Sequence, residues 1–131
     1  FSHSFCCSAL VTKKTLLVSC SEEDYPIDLG MIQGGYSLTL TIEKIGEGWV
    51  GEEALAIAVY CSLKFSHNWV RGTLAAVNHS GDSDSTGSIT GAILGTLLGV
   101  EAIPTFWVIR VENTDYIERL ATEMWELFGK E

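Results

Sequence analysis

The strongest hydrophobic pattern in the chain runs from Glu52 to Phe65 (EEALAIAVYCSLKF), where Leu55, Val59 and Leu63 recur every fourth residue and Ala56, Ala58 and Tyr60 widen the stripe. That period predicts a helix with one buried face. Two glutamates in its first turn complement the positive end of the helix dipole. Ser66 is a natural N-cap for a following helix over Asn68–Asn78, whose Trp69, Leu74 and Val77 are compatible with one apolar face. The polar segment HSGDSD stops it. A further helix opens at Asp84 and runs to about Gly99, and Ala102-Ile103-Pro104 then breaks the chain. The last helix starts near Thr114-Asp115 and ends near Phe128, with Ile117, Leu120, Ala121, Met124 and Leu127 at helical spacing.

Ahead of this region the pattern is weaker. Phe5 to Val18 predicts one helix, and SEEDYP supplies acidic residues and Pro26 for a second helix start. From Ile27 to Ile45 the signal is mixed: Gly34 and Gly35 interrupt it, and YSLTLTI alternates as a short strand would. Gly46 and Gly48 mark a loop. The whole predicts an all-α, compact multi-helix array of five to six helices joined by short loops.

Composition narrows the function classes. With 131 residues the chain holds one domain at most, and 47% hydrophobic against 19% charged residues excludes disorder. Eight Lys and Arg against 17 Asp and Glu give a net charge of -9, which repels a phosphate backbone and excludes nucleic-acid binding. The longest charge-free stretch, Ser85 to Val100, is too short and too rich in Gly, Ser and Thr to span a bilayer, so no membrane partner is expected. The four cysteines, Cys6, Cys7, Cys20 and Cys61, include no CxxC pair and read as buried thiols in a reduced, cytoplasmic setting. Lys13 and Lys14 break the apolar opening, which does not read as a signal peptide. The missing initiator Met predicts a fragment or a processed chain.

The stretch with chemistry is NHSGDSDSTGSITGAILGTLLG, Asn78 to Gly99. Asp82 and Asp84, one residue apart, allow two carboxylates to converge on one hard cation, and Ser85 and Thr86 add hydroxyl oxygens beside them. The helix that follows offers free backbone N–H groups. The plainer alternative is that Asp84 caps the helix and Asp82 makes a turn. A calcium loop is a further alternative, since Asp82, Asp84, Thr86, Gly87, Ile89 and Thr90 fit its early positions, but Ile93 stands where that loop needs a bidentate Glu. Gly87, Gly91, Gly95 and Gly99 recur every fourth residue and predict a bare backbone stripe that lets a neighbouring helix come close.

These residues resemble a known family. NHSGDSDSTG with its glycine-stepped helix looks like the C-terminal metal-binding signature of the ADP-ribosylglycohydrolases, which include the dinitrogenase reductase activating type. Upstream, GEGWVGEEALAIAVYCSL resembles their glycine-tryptophan loop and following helix, and downstream VEAIPTFWVIRVENTDYIERLA resembles their closing helices. The resemblance is strongest over residues 42–128, within a single, partial domain of residues 1–131 that corresponds to the C-terminal half of the family's all-α fold.

The resemblance implies two adjacent Mg2+ or Mn2+ ions in a central cleft and removal of ADP-ribose from modified side chains, with ADP-ribose or an ADP-ribosylated protein as partner. It maps metal ligation onto Asp82, Asp84 and the Ser85 hydroxyl. Gly48, Trp49 and Gly51 fall where the family shapes its ligand cleft, although Trp49 also suits a core anchor. Asn78, His79 and Thr86 stand behind the ligands as supports, with a plain helix C-cap as the simpler role for Asn78 and His79.

Family members are much longer and carry a Thr-Asp-Asp motif and an acidic loop in their N-terminal half. This chain has neither, and Ser21-Glu22-Glu23-Asp24 reads as a helix start on a solvated face. No catalytic residue is assigned. The expectation is a hydrolase-like domain that binds metal weakly or not at all and is inactive alone. The alternative is a non-catalytic helical binding or assembly module that keeps the fold, with its uncovered apolar surface closed by a homodimer.

Overall fold

The computed structural model describes residues 37–129 fully, together with the backbone of three strands, β1 (Cys7–Val11), β2 (Thr15–Cys20) and β3 (Glu23–Asp28). The helices follow as α1 (Leu38–Ile45), α2 (Gly51–Lys64), α3 (Trp69–Val77), α4 (Ser83–Leu98), a 3-10 turn (Val100–Ala102), α5 (Thr105–Val108) and α6 (Thr114–Phe128). Residues 37–129 thus form the all-α, multi-helix array that the hydrophobic pattern predicts. No helix among the described residues is long and apolar enough to cross a membrane.

The N-terminal segment corrects the sequence reading. Where a helix was expected over Phe5 to Val18, β1 and β2 pair antiparallel with Val11 opposite Leu16 and Cys7 opposite Cys20. β3 completes a sheet of order β1-β2-β3, which replaces the expected helix start at SEEDYP. Cys, Ser, Thr and Val are middling helix formers, and the β-branched ones suit a pleated surface better. Pro26 lies in β3, at the sheet edge, where a missing N–H is tolerated. The opposite correction holds for YSLTLTI: Leu38–Ile45 is helical, because a helix places Thr41 and Ile42 together in the core.

The core is centred on α2. Ile57, Tyr60 and Cys61 are fully buried and pack with Ile42 of α1 and with Ala75 and Ala76 of α3. The expected α2 stripe is rotated: Leu55 and Val59 are partly buried and Leu63 is exposed, whereas Ala54, Ala56, Ala58 and Cys61 are inside. The cause is that α2 touches α1, α3, α4, β2 and β3, so it is enclosed on several sides instead of lying on a surface. In α3, too, the core face is Gly72, Ala75 and Ala76, with Leu74 exposed. Small residues win there because α3 and α4 run very close together. A Cβ on Gly72 would overlap Leu94 of α4, and a Cβ on Gly87 would overlap Val77 of α3.

The glycine stripe of α4 therefore divides by neighbour. Gly87 admits Val77, Gly91 and Gly95 lie under the Trp69 ring, and Gly99 ends the helix at φ +80°, a conformation that suits glycine. The Trp69 indole N–H donates to the Gly91 carbonyl (3.1 Å) and its ring meets Trp107 of α5 edge-on, with centroids 5.6 Å apart. The α3 cap is Asn68, whose Oδ1 accepts from the Arg71 N–H at 2.9 Å, not the expected Ser66. The last helix has the expected apolar spacing but none of its residues is buried.

Candidate functional site

The site is built where the loop between α1 and α2 meets the turn between α3 and α4. Glu53, in the first turn of α2, turns its carboxylate back on the loop: Oε2 accepts from the N–H groups of Glu47 (3.1 Å) and Gly48 (2.9 Å). The loop in turn holds the second segment, because the Glu47 carbonyl accepts from the Asp82 N–H at 2.8 Å. Gly81 makes that approach possible, since a Cβ there would overlap the Glu47 carbonyl. Gly48, at φ +80°, is buried, with Thr86 Cγ2 only 3.0 Å from where its Cβ would be.

Asp82 is the N-cap of α4, one residue before its first turn, and Asp84 lies within that turn. Both carboxylates converge on one amide: Ser85 N–H donates to Asp84 Oδ1 at 2.9 Å and, more weakly, to Asp82 Oδ1 at 3.5 Å. A hydrogen bond with the Asp84 carboxyl, followed by one with Ser85, holds the Asp82 carboxyl below its ordinary range. The plain reading had Asp84 as the cap and Asp82 in the turn; the positions are reversed. Residues 83–98 form one continuous helix, a geometry that leaves no calcium loop over Asp82 to Ile93.

Behind the carboxylates, Thr86 is fully buried and its hydroxyl donates to the Ala76 carbonyl (2.6 Å), one of the unpaired carbonyls at the end of α3. The same Oγ1 lies 3.0 Å from His79 Nε2, while the Gly81 N–H donates to His79 Nδ1 at 3.1 Å. This pattern selects the neutral imidazole with its proton on Nε2, donating to Thr86. His79 is therefore a brace between the turn and α4, not a helix cap. Asn78 is the C-cap, its Nδ2 donating to the Leu74 carbonyl at 2.6 Å.

Of the loop residues, Gly48 touches the α4 start, Trp49 is 67% exposed and Gly51 has open space around its Cα. The exposure of Trp49 removes the core-anchor role. Sequence reasoning missed Glu53 and Gly81, which lock the two loops together. Glu53 was legible only as a dipole-complementing residue, and Gly81 only as a turn glycine.

Comparison with known proteins bears on the same residues. The family model for the ADP-ribosylglycohydrolases matches residues 15–131. The chain belongs to the ADP-ribosylglycohydrolase family. It is 34% identical over 86 residues to an uncharacterized protein of Archaeoglobus fulgidus, covering 66% of this chain and 27% of that one. It is 26% identical over 99 residues to the ADP-ribosylhydrolase ARH3 of Bos taurus, covering 68% of this chain and 27% of the relative. It is 34% identical over 61 residues to the ADP-ribosylarginine hydrolase Tri1 of Pseudomonas putida, covering 47% and 16%. The chain thus spans about a quarter or less of the length of these relatives. No solved structure matches it significantly.

The donor set fits a hard divalent cation in part. Asp82, Asp84 and Ser85 offer two carboxylates and a hydroxyl, all oxygen donors, at one helix start, as Mg2+ and Mn2+ prefer. Among the described residues no group of three or more His, Cys, Asp and Glu side chains is gathered for a metal. Asp82, Asp84 and Ser85 by themselves are an incomplete donor set.

Proposed function

We propose that this chain supplies the C-terminal side of a metal-dependent ADP-ribosyl hydrolase site, as a single partial domain over residues 1–131. Asp82, Asp84 and Ser85 hold Mg2+ or Mn2+ there, Gly48, Trp49 and Gly51 border the ligand, and Asn78, His79 and Thr86 fix the ligand-bearing turn. The observation that carries this reading is the convergence of the Asp82 and Asp84 carboxylates on the Ser85 amide. A bound divalent ion in such a site supplies Lewis-acid orientation of ribose hydroxyls and activation of water. The protein's part is to keep two carboxylates together against their mutual repulsion, which the α4 N-terminus offsets. Exposed Trp49 offers a face on which an adenine or a ribose can rest. ADP-ribose on a modified protein is the substrate class that the names of the relatives support.

Two oxygen-donor side chains and a hydroxyl leave most of a coordination shell to water, so the chain alone binds metal weakly and does not turn over substrate. Titration of Mn2+ followed by water-proton relaxation tests this. Weak saturable binding that is lost in Asp82→Asn and Asp84→Asn is expected, and no binding to the unaltered chain overturns the ligand assignment. Hydrolysis of an ADP-ribosylated arginine peptide by the purified chain, abolished in Asp82→Ala, would overturn the incompleteness. The buried thiol of Cys61 supports a reducing, cytoplasmic setting.

The second reading, an assembly module that closes its apolar surface as a homodimer, is favoured by α6. Met124, Trp125, Leu127 and Phe128 are all more than half exposed, and such a face is commonly covered by another chain. Sedimentation decides between them. A dimer at micromolar concentration that Trp125→Glu dissociates supports the module, and a monomer removes it.

A further inference from the structure

A second recess lies away from the acidic turn. Trp69 at the start of α3, Val100 and Ile103 around the 3-10 turn, Trp107 of α5 and Ile117 of α6 line an open recess of about 290 Å3. It sits beside the C-terminal half of α4, where Trp69 covers Gly91 and Gly95. Gly91 is seven residues beyond Asp84, about 10 Å along the helix axis, so the two places are distinct. The volume is at the lower end for a small-molecule site, enough for a single ring with a short chain.

The polar groups at its wall select the ligand's charge. Trp69 Nε1 is committed to the Gly91 carbonyl, and Thr114 Oγ1 to the carbonyls of Val108 (2.8 Å) and Val111 (2.7 Å). Those donors are not free to greet an anion or a carbonyl oxygen. Among the described residues, the one charged residue at the wall is Glu118, exposed at the rim on α6. Its carboxylate and the two indole rings, set edge to face at 76°, all attract positive charge. The net charge of -9 disfavours anions further.

We infer that this recess binds a small hydrophobic cation, an aryl or alkyl ammonium whose apolar part packs against the Trp69–Trp107 pair and whose charge pairs with Glu118. The apolar walls supply affinity and Glu118 with the rings supplies the preference for a cation over a neutral molecule of the same shape. The preference is about tenfold, the sum of a partly exposed cation–π contact and a surface ion pair, and it weakens with added salt.

The test uses 2-phenylethylammonium, with 2-phenylethanol and 3-phenylpropionate as neutral and anionic comparisons, titrated into the full chain while the four indole N–H resonances are followed by NMR. Saturable shifts of Trp69 and Trp107 but not of Trp49 and Trp125 are expected, with the ammonium about tenfold tighter than the alcohol and the carboxylate weakest. Glu118→Gln, at an exposed position, removes the ion-pair share and cuts the ammonium's advantage over the alcohol from about tenfold to about threefold, leaving the alcohol unchanged. An ammonium no tighter than the alcohol, no shift at Trp69 and Trp107, or an unchanged preference in Glu118→Gln overturns the inference.

Discussion

His79 Nε2 stands 3.0 Å from the hydroxyl oxygen of Thr86, and that hydroxyl donates a hydrogen bond to the Ala76 carbonyl at 2.6 Å. One buried side chain thus joins the end of α3, the intervening turn and the first turn of α4, the segments that flank Asp82 and Asp84.

Thr86→Val keeps the shape but leaves the Ala76 carbonyl and the His79 N–H without their partner. A loss of about 2 kcal/mol is expected, the usual cost of stranding buried polar groups. Thermal unfolding followed by circular dichroism measures it; a variant as stable as the parent would show that water replaces the hydroxyl there.

The α3–α4 contact predicts opposite outcomes for two glycines on one helix. Gly87→Ala pushes its methyl into Val77, a β-branched side chain with little freedom to turn, and destabilises by about 1–3 kcal/mol. Gly95→Ala meets only Trp69, at an ordinary 3.8 Å, and gains about 0.5–1 kcal/mol from backbone entropy. Denaturant midpoints of the two variants check the signs.

Glu53 holds the Glu47 and Gly48 amides through one oxygen. Glu53→Ala frees both, at a cost of about 1–3 kcal/mol, and loosens the loop that meets Asp82. Faster hydrogen exchange at Gly48 and Asp82, with exchange in α6 unchanged, is the expected result.

Burial pushes the Cys61 thiol up from its ordinary 9.0 to about 12, with Lys64 pulling weakly the other way. A folded-state value above the unfolded one stabilises the fold fully below pH 9.0 and loses that contribution as the pH rises toward 12. Cys61 therefore resists alkylation by iodoacetamide at pH 8 until the protein unfolds, read at its own peptide by mass spectrometry. Cys61→Ala flattens the alkaline fall in stability.

The local pattern alone determined α2, α3, α4 and α6 and the Asp82-x-Asp84 grouping, but not the short α5 after Pro104. Apolar periodicity, acidic first turns and glycine stops act within a few residues, so the chain displays them directly. Even the weak α6 was legible, because its stripe is local whether or not anything covers it. What tertiary structure alone decided were matters of neighbours. Cys7–Val11, Thr15–Cys20 and Glu23–Asp28 became strands because each strand had another to pair with, and Leu38–Ile45 became a helix because Thr41 and Ile42 had a core to enter. The buried faces of α2 and α3 were set by how many elements surround them and by the glycines that bring α3 and α4 together. The candidate site followed the same rule: its acids could be read from spacing, but Glu53, Glu47 and Gly81 joined them only through contacts between segments about 30 residues apart, whose closure leaves no periodic trace in the sequence.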